Sequence, residues 1–570
     1  MQTLKADVAI IGGGAAGCYA ALSLQKQGIK PLIICKGLVG KSGASLFAGN
    51  LVISGKLLGN TDEQARNTAE FLIKYHNQFL IDQRWARRCG EWIEQIYYPE
   101  LEEAGLYFRR DDDGNVVTSP GKIRSVAANV QGNSGVPFMD LRRKQIIHAD
   151  IPRLEETIAT ALLRNADGEI GGVFCLNLMT GEYLIVEARA VVLATGYSDR
   201  LHARSTGTRE MSADGIAMAW RAGATLVNME MQWWHTNDIA HPPSWQRMQV
   251  YPNPMLGSEK SARMVNSDGD EFFNQQQDDP LAFGPYTVQL KALAKQVHAG
   301  KARYDGGYYA GFDHCDPAEV DRYTTYGKTY RQLGLDFPKT LVETAVTSHY
   351  RQGGIDVDTL TMRSSVPGLY VAGGVGGHSN GLIGLATYDG KVVADGIVQD
   401  FSSLKSSPVN GIESQAESRR LDNLRNASGL GSTPIAVKEK LRKLMWDKVG
   451  VEKDAAGMNA ALDEILLLRS ELPEMRIYNN TRIANYEWLD AIDVTNMIDA
   501  CELIVHSSLE RKESRGPFFR KDFPETDNTQ WLAANILKKS GNGFKFEARP
   551  YELPFFEPGF TKQNNLQVAW

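Results

Sequence analysis

Glycines at Gly12, Gly14 and Gly17 follow directly on the apolar run Val8-Ala9-Ile10-Ile11 and open a helical stretch from Ala15 to Lys26. That spacing suits the capture of a pyrophosphate. Gly12 permits a tight turn, Gly14 lets backbone N–H groups close on phosphate oxygens, and Gly17 lets the helix lie close on the strand, its N-terminus facing the negative charge. A second strand, Pro31 to Cys35, follows in the order a dinucleotide-binding unit requires, against the alternative of a glycine-rich turn without ligand. Lys36 stands where an acidic residue would bind a ribose hydroxyl, which argues against an ordinary NAD site. A small-residue loop, Gly40 to Asn50, containing Ser42, Gly43, Ala44 and Ser45, can lie flat against a ring. A second strand-to-glycine signal is Ala190 to Leu193 followed by Ala194-Thr195-Gly196.

The elements that must hold these groups are read from periodicity. Residues 61–107 have helical spacing, and Leu106 to Thr118 reads as a hairpin turning at Asp113-Gly114-Asn115, which makes the aspartates Asp111 to Asp113 a solvated turn rather than a metal site. A helix is expected over Ile151 to Leu163, then strands over Gly171 to Leu178 and Tyr183 to Ala188. Residues 236–345 have the texture of an inserted cap, with loop character from His241 to Asn253. The glycine-punctuated pattern returns at His349 to Ile355 and Pro367 to Gly374, before a helix from about Thr387 to Asp400. A linker is expected over 401–432, then helices from Thr433-Pro434, at about 455–470 and at 495–512, and a loosely structured tail.

The chain has 570 residues, 43% hydrophobic and 23% charged, which fits a globular protein of two to four domains able to bury a large cofactor. A net charge of -6 gives no reason to expect a nucleic-acid or anionic-membrane partner. Six cysteines, Cys18, Cys35, Cys89, Cys175, Cys315 and Cys501, are scattered without a C-x-x-C pair, so any iron–sulfur centre belongs to another chain and a reducing, cytoplasmic setting is expected. No targeting segment or apolar run of membrane-spanning length is read in the sequence.

The motifs, taken in order, resemble one family: the flavoprotein subunits of succinate dehydrogenase and fumarate reductase, with L-aspartate oxidase and adenylylsulfate reductase among the relatives. The resemblance rests on Gly12 to Gly17 with Lys36, Ser42-Gly43-Ala44-Ser45, Ala194-Thr195-Gly196, Ala213-Asp214-Gly215 with Arg221 to Ala224, Asn228 to Met231, and His349 to Ile355. Arg511 to Gly516 and Arg520 to Pro524 extend it into the C-terminal part. It implies an α/β, Rossmann-like FAD-binding domain (1–235 and 346–410), an inserted α+β capping domain (236–345), a C-terminal helical domain (411–545) and a tail (546–570). It also implies hydride transfer at flavin N5 and one-electron exchange with a separate iron–sulfur subunit. Members often carry a non-acidic residue at Lys36, which removes that objection to FAD. Respiratory members bear a flavin-attaching histidine just after the loop serine, and Gly43 stands there, so FAD is expected to be non-covalent. Gly353, Gly354, Ala386 and Thr387 are placed by the resemblance to meet the flavin C2 oxygen, and Gly373-Gly374 to form the ribitol turn. His349 and His235 match active-site histidines, with Trp233, Trp234, Thr236 and Asn237 beside them.

Departures from the family concern charge. Counting back from Asn266 puts Ser258 where dicarboxylate-handling members carry a proton-donating arginine, and His378 to Leu385 lacks the second substrate-binding arginine. A hydroxyl cannot supply bidentate, fixed-charge binding of a carboxylate. Gly374 replaces a glutamate. Lys260, Arg263 and Arg351 could supply compensating charge, or lie at the surface. The expected substrate is therefore not a simple dicarboxylate. Sulfur chemistry of the adenylylsulfate reductase kind, a self-contained flavin oxidase or dehydrogenase, and a flavoprotein that has lost its chemistry remain open alternatives.

Overall fold

The computed structural model describes residues 1–48, 52–54, 61–108, 110, 113–114, 124–126, 134–245, 262–273, 286–318, 330–378, 381–541 and 543–564. At its centre is a parallel sheet ordered Leu369–Val371, Ala190–Leu193, Val8–Ile11, Pro31–Ile34, Arg153–Leu154. Its inner strands are unbroken apolar runs because both faces are covered. On one face lie the helices Ala15–Lys26 and Ile383–Asp400, which approach so closely that a Cβ at Gly390 would sit 2.5 Å from Ala16 O. The other face packs on the helix Asp214–Arg221 and, beyond it, on Pro434–Lys448, Ala455–Glu471 and Tyr486–Glu510 in one continuous core.

The helix expected at Ile151 to Leu163 is a strand instead: Thr157–Arg164 pairs antiparallel with Ile170–Asn177, which pairs with Tyr183–Glu187. Its alanines and leucines have helical spacing, but β-branched Thr157, Ile158 and Thr160 are buried in a sheet covered on both faces, and tertiary pairing overrides propensity. The cap sheet is ordered Gln232–Ile239, Val342–Arg351, Tyr308–Gly311, Arg263–Val265, Glu271–Phe273. The expected limits at 235/236 and 345/346 fall inside its first two strands. Of the hairpin at Leu106 to Thr118, the turn residues Asp113 and Gly114 are described, while Asp111, Asp112 and 115–118 lie outside the described residues.

The linker expected at 401–432 contains a helix, Gly411–Arg425, capped by Asn410 accepting from Ile412 N. It buries only Ser414, Glu417 and Leu421, so its apolar stripe is too thin to register in the sequence. The last helix starts at Tyr486 rather than 495, with Asn485 accepting from Trp488 N at 2.9 Å. The start of the expected tail belongs to a sheet: Ala533–Ser540 and Gly543–Pro550 form a hairpin that joins the strand Leu226–Val227, and Phe544 lies 5.9 Å from the Trp220 ring. No helix among the described residues is long and apolar enough to cross a membrane.

Candidate active site

A groove enclosing about 910 Å³ of space open to solvent runs along the C-terminal edge of the parallel sheet. Gly12, Gly14, Ala15 and Ala16 form its floor. Gly12 has φ +122°, and a Cβ there would lie 2.1 Å from Ala194 O; a Cβ at Gly17 would lie 2.0 Å from Gly12 O. These contacts are why the turn is glycine. Gly14 caps the helix without a side-chain hydrogen bond, leaving the first-turn N–H groups of Ala16 and Gly17 to a ligand, while Ala15 N donates to Ser45 Oγ at 3.2 Å.

Lys36, Ser42, Gly43, Ala44 and Ser45 make one flank; Ala194, Thr195, Gly196 and Asp214 make the other; Gly373, Gly374 and Ala386 close one end. Thr157, Ile158 and Ala159, on the strand expected as a helix, line the groove as well. Gly353, Gly354 and Thr387 do not. Gly353 and Gly354 are packed on the backbone of Asn228 and Val375, where a Cβ would meet oxygen at 1.8 and 2.3 Å. Thr387 Oγ1 donates back to Ile383 O at 2.7 Å. The helix begins at Ile383, four residues before the expected start, and Ala386 N is already bonded to Leu382 O, so the first-turn N–H groups without a partner among the described residues are those of Ile383, Gly384 and Leu385.

Lys36 does not reach across the groove. Its Nζ is 3.0 Å from Asp214 Oδ2, 2.6 Å from Asp493 Oδ1 and 2.8 Å from Ser212 Oγ. Lys438 Nζ holds the other Asp493 oxygen at 2.9 Å. Burial opposes the charges, but the attractions outweigh it: Lys36 is held above the usual lysine range and Asp493 below the usual carboxylate range. The lysine at the ribose position thus fastens the groove to the helix Tyr486–Glu510.

His235 and His349 come together, their ring centroids 4.1 Å apart. His235 opposes Thr347 across the antiparallel pair, and His349 is its diagonal neighbour. The loop 199–206 runs along the same strand, with Ser205 bridging Ser348 and Thr206 N donating to Ser348 O. Thr206 Oγ1 lies 2.7 Å from His349 Nδ1 and 3.3 Å from Ser348 O, so the threonine hydroxyl anchors the Nδ1 side of the ring and leaves Nε2 for a ligand. Burial pushes His349 down to about 4, so the ring is neutral at pH 7 and offers no charge to a carboxylate.

Arg351 is 1% exposed and its Nη1 donates to Met229 O at 2.5 Å. Burial lowers it to about 10, with Asp199 opposing, so it stays charged. Arg263 is tied to Asp313 and to Glu271 at the edge of the cap. Ser258 and Lys260 lie outside the described residues. Trp233 faces Tyr350 at 5.6 Å and His76 at 5.6 Å, whereas Trp234 packs on His202 and Trp446 in the core. Thr236 bonds Gln289, and Asn237 is only placed as a strand residue.

Sequence reasoning missed Tyr197, His76 and Thr206. Tyr197 had a signal, a bulky aromatic directly after Thr195-Gly196. Thr206 and His76 had none, since loop and helix packing alone bring them to the histidines.

Strand, glycine turn, helix and groove define a dinucleotide-binding flavoprotein: residues 7–386 match the family of FAD binding domains, and the chain belongs to it. Residues 438–563 match the fumarate reductase flavoprotein C-terminal family, which makes this a member of the succinate dehydrogenase and fumarate reductase flavoprotein group. A fumarate reductase (CoM/CoB) subunit of Methanothermobacter marburgensis is 27% identical over 551 residues, covering 94% of this chain and 98% of its own. L-aspartate oxidase 1 of Ralstonia nicotianae is 26% identical over 546 residues, covering 91% and 96%. The apo Sdh1 complex of Mycobacterium smegmatis superposes with a TM-score of 0.85 at 25% identity, covering 98% of this chain and 96% of that one. The chain is an FAD-dependent oxidoreductase. FAD binds without a covalent link: residue 43 is a glycine at φ +79° with nothing within 4 Å of its Cβ position.

Proposed function

We infer that this is a catalytic flavoprotein subunit that moves a hydride between flavin N5 and a substrate other than a simple dicarboxylate, and exchanges electrons with a separate iron–sulfur subunit. The observation that carries this is the His235–His349 pair, 4.1 Å apart and uncharged at His349, in a chain whose sequence lacks both family arginines. Bound FAD supplies two-electron chemistry toward the substrate and one-electron chemistry toward the partner. The residues of this chain do the rest. Ala16 and Gly17 N–H groups and the helix dipole hold the pyrophosphate. The first-turn N–H groups at Ile383 to Leu385 favour negative charge on the reduced ring. His349 Nε2 hydrogen-bonds the substrate and, with His235, orients it; Arg351, two residues along the same strand, carries a buried positive charge.

The carboxylate clamps of a succinate site would contribute about 1.5–3 kcal/mol per charged hydrogen bond, and a neutral imidazole does not replace them. The reading as one component of a complex is supported by full-length likeness to the Methanothermobacter fumarate reductase chain and by the match of residues 438–563. Free cysteines at six buried positions suit a reducing compartment such as the cytoplasm. The test is anaerobic reduction of the purified chain, followed by a panel of acceptors and recording of flavin reoxidation. His349→Ala is expected to slow reoxidation by the active acceptor with FAD content unchanged. Equal rates in both proteins would remove the histidine from the account, and rapid oxygen consumption by the chain alone would favour a self-contained oxidase.

A further inference from the structure

Two glycines, Gly374 in the groove wall and Gly381 outside it, each have a tyrosine ring where a side chain would stand. A Cβ at Gly374 would lie 2.4 Å from Tyr197 Cε1 and Cζ, and one at Gly381 would lie 2.4 Å from Tyr350 Cδ1. Tyr197 lines the cofactor groove together with Gly373 and Gly374. Its ring lies 5.9 Å from that of Tyr350, which lies 4.8 Å from His349. Tyr197 is therefore in van der Waals conflict with any side chain at 374, borders the groove, and begins a chain of rings that ends at His235. Burial and the nearby Asp199 carboxyl push its hydroxyl well above the usual tyrosine range, so it remains a donor at neutral pH.

We propose that Tyr197 is a positioning residue for the flavin: its ring, seated on Gly374, occupies the volume that a side chain at 374 would take and forms the shared wall between the ribityl end of the groove and the histidine pair. The two residues are then exclusive alternatives for one space. This rests on FAD occupying the groove, so flavin binding by the unaltered chain is measured first; a colourless protein defeats the family reading, whereas the outcomes below concern Tyr197 alone.

The experiment is a cycle of FAD affinities by equilibrium dialysis, with the absorption band and midpoint potential of the bound flavin as second readouts. Forcing a methyl into a filled space costs enough that Gly374→Ala is expected to weaken FAD binding about tenfold or more. In a Tyr197→Gly background the same change is expected to cost less than about twofold, because the ring it collides with is gone. Tyr197→Gly alone is expected to weaken binding and shift both band and potential, and Tyr197→Phe, which keeps the ring, to restore all of them. The proposal is overturned if Gly374→Ala costs the same in both backgrounds, or if Tyr197→Gly leaves affinity, band and potential as in the parent. Should Gly374→Ala fail to fold, the Tyr197→Gly and Tyr197→Phe pair decides by the same criteria.

Discussion

Replacing Lys36 by Met tests whether the ribose-position lysine joins the cofactor groove to the helical part of the chain. Lys36 Nζ contacts Asp214, which lines the groove, and Asp493, which is 0% exposed on the helix Tyr486–Glu510. Removing one partner from a buried ion pair costs about 3–5 kcal/mol. Asp493 keeps Lys438 at 2.9 Å and Ser212 Oγ at 2.8 Å, and Asp214 keeps Asn496 at 2.8 Å, which brings the expected loss to about 2–3 kcal/mol. Unfolding entropy near 2.1 cal/mol/K per residue makes this a fall of about 2 °C if all 570 residues melt together, and more if the helical part melts alone. FAD affinity should fall in the same variant, since the Asp214 carboxylate loses its cation at the groove wall. Asp493 is held below its ordinary 3.8, so its contribution is present above that pH and is lost as pH falls through the depressed value. Without Lys36 that depression shrinks, and the gap between variant and parent should narrow on acidification toward pH 3. The assay is thermal unfolding followed by circular dichroism, with the double variant Lys36→Met/Asp493→Asn. The double variant should be more stable than the summed single losses by about 1 kcal/mol or more. Strict additivity would show that the two residues are not energetically coupled and would refute the reasoning.

Gly12→Ala puts a Cβ 2.1 Å from Ala194 O at φ +122°, and should cost about 2–4 kcal/mol and strip the protein of FAD; full flavin content in that variant would mean the turn is not the pyrophosphate site. Thr206→Val removes the hydroxyl that holds His349 Nδ1, and should slow flavin reoxidation by the active acceptor about tenfold with FAD content unchanged, as read by stopped-flow absorbance. Burial lowers His76 to about 3 and His202 well below 6.5, so the unfolded chain takes up protons first as pH falls below 6.5. Stability should drop between pH 7 and pH 5 by up to about 2 kcal/mol per histidine, and a melting temperature that is flat across that window would contradict their burial. Acid precipitation should release all FAD into the supernatant, and yellow colour retained in the pellet would contradict non-covalent binding.

Legibility of the sequence followed the range of the forces involved. The groove is built from local rules: a strand of Val8 to Ile11, glycines that only a close backbone approach explains, and a helix beginning at Ala15, each visible in a dozen residues. The strand Thr157–Arg164 was hidden because its alanines and leucines satisfy a helical period equally well, and only pairing with Ile170–Asn177 decides between them. Gly411–Arg425 was hidden because it is held by few apolar contacts, and the C-terminal hairpin because its partner strand, Leu226–Val227, lies some 300 residues earlier. In the site, His235 and His349 were legible through the family motif, whereas the reason His349 is neutral, burial, is long-range packing. Lys36 was legible as an anomaly, but its explanation sits 457 residues away at Asp493.

The central claim is that FAD faces a substrate site that lacks the two family arginines which grip a small dianion. Reoxidation of the anaerobically reduced flavin by fumarate, recorded in a stopped-flow spectrophotometer, addresses it most directly. The account predicts that millimolar fumarate leaves the reduced spectrum unchanged over minutes, while another acceptor in the panel restores the oxidised band. Reoxidation by fumarate at about 10² s⁻¹, an ordinary enzymatic turnover, would contradict it.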